Sequence, residues 1–111
     1  MTEGQYVFIE SRDPFESTDT GFVADTATAL RGRGREVTVF LLQNGVLATR
    51  EAARGSQVPR LVKAGVRVLA DEFSLRERGI VAGELGAGVQ EASIGTLVDL
   101  MVEPNTKTLW H

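Results

Sequence analysis

The chain has 111 residues, 42 % of them hydrophobic and 24 % charged, with a formal net charge of −3 and no cysteine. That length and composition suit one small domain, residues 1–111, with one packed core, and they argue against disorder. The acidic balance speaks against nucleic-acid binding and a polybasic membrane anchor, and the missing cysteine excludes a disulfide, a thiolate zinc site and a thiol nucleophile.

No apolar run approaches the ~20 residues of a membrane span. The start, MTEGQYVFIE, carries no basic stretch followed by an apolar one. The cytoplasm is therefore the expected compartment.

QYVFIE, residues 5 to 10, reads as a strand with a nearly continuous apolar run, as in a strand covered on both faces. SRDPFESTD is turn-rich, and a helix is predicted from about Asp19 to Arg33. Phe22, Val23, Thr26, Ala27 and Leu30 share one face of it. Thr18 or Asp19 caps its start, and Gly32 or Gly34 ends it. EVTVFLLQ, residues 36 to 43, is the second strand, broken by Asn44 and Gly45.

A helical stretch is predicted from Val46 to about Ala53. Ser56 is a candidate cap for a short helix that tolerates Pro59 in its first turn and ends at Gly65. Val58, Leu61 and Val62 should face inward. VRVLA, residues 66 to 70, is the third strand. Ser74-Leu75-Arg76-Glu77 has the form of a capping box, with Gly79 closing that helix. Gly83, Gly86 and Gly88 read as a loop, with a short strand near Val89 to Ala92. Ser93 should cap a helix through Val102, with Ile94, Leu97, Val98 and Met101 as its apolar stripe and Pro104 at its close. Lys107 to His111 reads as an edge strand.

Alternating strands and helices imply an α/β fold, a parallel sheet with helices on both faces. Ligands gather beyond the carboxyl ends of such strands. Here those ends carry Ser11, Arg12 and Asp13, then Gln43, Asn44 and Gly45, then Asp71, Glu72 and Phe73. The candidate crevice is therefore Arg12, Asn44, Gly45, Asp71, Glu72, Ser74 and Arg76.

Asp71 fits a helix cap, and a phosphoacceptor role lacks the adjacent acids and the lysine it requires. A third option is general acid or base work by Asp71 or Glu72, which has no second catalytic group to join it. No metal site is expected, since the lone histidine, His111, suits a solvated position. No cofactor motif is present: no lysine follows a glycine loop, and glycines 83, 86 and 88 lack dinucleotide spacing. Arg31 to Arg35, RGRGR, reads as a solvated basic helix end.

The order of these segments resembles the DsrE/DsrF/DsrH superfamily, which includes the Tus sulfur-relay proteins. REVTVFLLQNGV resembles the DsrE or TusD type. GVRVLADEFSLRERGI is similar to the family's third strand, active loop and short helix. Within it SLRERG is similar to the DsrF or TusC type, and Asp71-Glu72 to the DsrH or TusB type. KTLWH is similar to the closing strand.

The resemblance implies a three-layer α/β/α sandwich with a five-stranded, mainly parallel sheet, and homo-oligomers or hetero-oligomers with other DsrE-family proteins. It also implies a persulfide-carrying cysteine just after the third strand, and the matching position here is Asp71. A carboxylate cannot hold sulfane sulfur, so a non-catalytic subunit or binding protein linked to sulfur relay is expected. A small-ligand or anion binder using the crevice is the alternative.

Overall fold

The computed structural model describes residues 4–13, 20–50, 53 and 55–111. Five strands form one sheet: β1 (Gln5–Glu10), β2 (Glu36–Leu41), β3 (Arg67–Asp71), β4 (Val89–Ala92) and β5 (Thr106–Trp110). Among the described residues four α-helices accompany them: α1 (Thr20–Gly32), α2 (Val58–Lys63), α3 (Glu72–Glu77) and α4 (Ile94–Val102). The spatial order is β4-β3-β2-β1-β5, and every strand pairing is parallel. The α/β sandwich expected from the sequence is therefore the fold.

The chain steps from β1 to β4 in one direction and then returns across the sheet to place β5 beside β1. Parallel crossovers keep one hand, so a reversed step must pass over the opposite face. The cores show this division. Phe8, Val39, Leu41, Val68 and Ala70 pack with α1, α2 and Leu75 of α3. Val7, Ile9, Phe40, Leu42 and Leu69 pack with Leu97 and Leu100 of α4. Neighbouring residues on each strand thus feed opposite cores, as the two-residue period of a strand requires. This explains why the strands read as unbroken apolar runs.

Helix ends follow local chemistry. At the end of α1, Arg35 N donates to Leu30 O and Gly34 N to Arg31 O, with Gly34 at φ 80°. This is the paired closure that needs a left-handed residue, so Gly34 rather than Gly32 ends the helix. Helices α2 and α3 close the same way at Gly65 and Gly79. Arg31 of the RGRGR turn donates to Gly65 O and Arg35 O, tying the turn to the end of α2.

Several boundaries differ from expectation. Strand β2 stops at Leu41, and a 3₁₀ segment, Gln43–Thr49, replaces the predicted helix from Val46. The remainder of that prediction, and the Thr18 or Asp19 cap of α1, lie partly or wholly outside the described residues. Gln57 is the cap residue of α2, yet Ser56 Oγ does accept from Val58 N at 3.1 Å. Phe22 points to solvent, while Val23, Ala24 and Ala27 fill the core side of α1.

On α4, Ser93 caps as expected, accepting from Thr96 N at 3.2 Å. The predicted stripe does not bury as a unit, however. Leu97 and Leu100 pack inward, whereas Ile94, Val98 and Met101 stay exposed.

Candidate functional site

The carboxyl ends of β1, β2 and β3 meet as predicted, but the groups there bind one another. Asp71 ends β3 and is the cap residue of α3. Its Oδ2 accepts from Ser74 N at 3.0 Å and from the Ser74 hydroxyl at 2.7 Å. The same hydroxyl accepts from Gln43 N at 2.8 Å. One serine oxygen thus links the start of α3 to the segment after β2. Gln43 holds φ 51°, uncommon for a residue with a side chain, and its bond to Ser74 helps hold it there.

The predicted capping box at Ser74 to Glu77 is therefore corrected. Ser74 lies inside α3, three residues after the cap, and serves as the partner of Asp71. Both residue types cap helices, and the contact with Gln43 selects the earlier start.

Arg76 is exposed, and no partner for it is seen among the described residues. Arg78, which the sequence did not single out, reaches the segment after β2. Its Nε and Nη2 donate to Asn44 Oδ1 at 3.2 and 3.0 Å, and its Nη1 to Ser74 O at 3.2 Å. Asn44 is thereby held by an arginine, and Glu72 faces solvent.

Gly45 sits where the backbone crosses the end of β1. A Cβ there would stand 2.2 Å from Glu10 O, which also accepts from Leu42 N at 3.1 Å. Gly45→Ala should therefore lower stability by about 2–3 kcal/mol, because neither neighbour is a flexible side chain. Urea unfolding would show a reduced midpoint with an unchanged slope.

The switch point between β1 and β5, where such sheets most often take ligands, is also filled. Glu10 is buried, and its carboxylate oxygens each lie 2.9 Å from His111 Nδ1. Arg12 N donates to the same carboxylate at 3.2 Å. Ser11 bonds His111 O through both its amide and its hydroxyl. His111, expected in solvent, is instead a structural partner of a buried acid. The sequence offered no signal for it, since the two residues are a hundred positions apart.

Arg12 itself is exposed at the rim. The crevice it shares with Glu10 and Gly45 encloses about 30 Å³, room for about one water molecule. Among the described residues no group of three histidines, cysteines, aspartates or glutamates could hold a metal ion. No helix among them is long and apolar enough to cross a membrane.

A parallel sheet in this order, with helices dividing as they do and a polar cluster at its carboxyl edge, defines a small α/β domain of a known kind. The chain belongs to the DsrE/DsrF-like family, whose model matches residues 5–106. Its fold is similar to that of the ychN protein from E. coli, at 20 % identity and TM-score 0.87, covering 97 % of this chain and 99 % of that one. It is also similar to MTH1491 from Methanobacterium thermoautotrophicum, at 22 % identity and TM-score 0.83, covering 98 % of this chain and all of the other. BT1422 from Bacteroides thetaiotaomicron shares the fold at 17 % identity and TM-score 0.73, covering 96 % and 95 %. A search of curated proteins gave no match.

Proposed function

We propose that the protein is a non-catalytic DsrE-like subunit, linked to sulfur relay through assembly with partners. The observation that carries this reading is the state of Asp71, which matches the position of the family's sulfur-carrying cysteine. Its side chain is 6 % exposed and already committed to Ser74. Persulfide transfer needs a thiolate that forms and breaks a bond to sulfur, and this chain has no cysteine. A carboxylate that caps a helix and orients a serine is a brace.

Assembly is supported by the face that α4 leaves open. A nine-residue helix is about 13 Å long, while five strands span about 19 Å. By register Trp110 lies on the same sheet face as Ile9, Phe40 and Leu69. It remains 67 % exposed, beside an outer α4 surface on which Ile94 is 54 % and Val98 51 % exposed. Apolar side chains gathered this way fit an interface with a second copy or with a cysteine-bearing relative.

The test is to mix the chain with a DsrE-family protein whose cysteine carries a persulfide, then to measure co-elution and the intact mass of each component. A complex should form, and the added sulfur should stay on the partner. Sulfur appearing on this chain, or separate elution at every concentration, would overturn the proposal.

A further inference from the structure

A second cavity lies away from the strand ends, between α2 and the glycine-containing loop that precedes β4. It encloses about 350 Å³, within the range of small-molecule sites (roughly 300–1,000 Å³) and far larger than the crevice at Glu10. Its walls are mostly apolar, and its charged lining residues, Arg50 and Lys63, are both cations. Neither is paired with a carboxylate among the described residues, whereas Arg60 on the same helix as Lys63 is held by Asp25 at 2.6 Å. In a chain of net charge −3, a concave site with two unpaired cations and no acid among its described lining residues favours a negative ligand.

The cavity is also formed in advance. Arg50 bridges to Leu85, and Gly86 N donates to Thr49 O at 2.8 Å, which closes one side. Gly88, at φ 86°, lets the loop approach so closely that a Cβ would stand 2.5 Å from Val62 Cγ1. Ser56 Oγ donates to Ala48 O at 2.7 Å and fixes the floor.

We propose that this cavity binds a small organic anion with an apolar body and a carboxylate or phosphate head. Ala48, Val58, Pro59 and Val62 pack on the body, while Arg50 and Lys63 meet the head. The site is independent of the assembly face, so it stands or falls separately from the proposed subunit role.

The test is amide NMR on the full chain, titrated with phenyl phosphate, benzoate, benzyl alcohol and inorganic phosphate. At least one aromatic anion should give saturable shifts at Arg50, Ser56, Val62, Lys63, Gly86 and Ala87, and comparison of the two identifies the preferred head. Benzyl alcohol and inorganic phosphate should bind more weakly, each lacking one half of the ligand. Arg50→Gln combined with Lys63→Gln should weaken the anion by about tenfold or more, both side chains being exposed and unpaired. The proposal is overturned by no saturable shift with either aromatic anion, by equal binding of benzyl alcohol or inorganic phosphate, or by unchanged affinity in the double variant. If that variant fails to fold, the comparison of ligands on the unaltered chain still decides.

Discussion

Asp71→Ala should destabilise the protein by about 2–3 kcal/mol, more than a surface cap normally contributes. The substitution removes the acceptor for Ser74 N and leaves the buried Ser74 hydroxyl without its carboxylate. It also loosens the serine that receives Gln43 N, so the unusual backbone at Gln43 loses support. Asp71→Asn keeps an oxygen for Ser74 N and should recover much of the loss, since asparagine caps nearly as well as aspartate. Ser74→Ala should cost about 1–2 kcal/mol by leaving the Gln43 amide unpaired. A double-mutant cycle on Asp71 and Ser74, measured by urea unfolding, should give a coupling of about 1 kcal/mol or more. A group kept for chemistry would behave differently: its removal would leave stability unchanged or raise it.

Val98→Glu and Trp110→Glu should each weaken the proposed assembly by about 2 kcal/mol or more, roughly 30-fold in affinity. A carboxylate at either position would have to be dehydrated at the interface without a partner charge. In the separated subunit both side chains face water, so unfolding midpoints should move little. Leu97→Glu serves as the contrast. Leu97 is buried against the sheet with Ile9 and Phe40, so the same change there should unfold the domain. Sedimentation velocity beside thermal unfolding separates these outcomes.

The difference between Leu97 and Val98 also marks where the sequence stops being legible. Helical spacing picked out Leu97 but passed over Leu100, the other inward residue of α4. It could not tell side chains that pack on the chain's own sheet from those left for another molecule, because both look the same in a periodic pattern. The strands were readable because β-branched and aromatic runs between glycines leave few alternatives, and the parallel order followed from the alternation of elements.

The carboxyl edge was legible as a place but not as a network. Asp71 and Ser74 are both good caps, three residues apart, and a contact with Gln43, distant in sequence, chooses between them. Arg78, the residue that closes α3, reaches Asn44 across a separation of 34 residues, which no local pattern signals. The positive φ at Gln43 had no signal, since glutamine is not a residue that favours it. The pairing of Glu10 with His111 joins the carboxyl ends of the adjacent strands β1 and β5, which stand at opposite ends of the sequence, and no local rule connects them. The cavity beside α2 escaped notice because it arises where a glycine loop meets a helix, a relation only the folded chain creates.

Sedimentation equilibrium of the full chain, alone and with a cysteine-bearing DsrE-family protein, goes most directly to whether this molecule works by joining others. The predicted result is a mass above one subunit for the chain alone, or in the mixture a species heavier than the partner forms by itself, lost on Trp110→Glu. A single-subunit mass for this chain alone, and a mixture that is the plain sum of the two separate samples across the whole accessible concentration range, would contradict it.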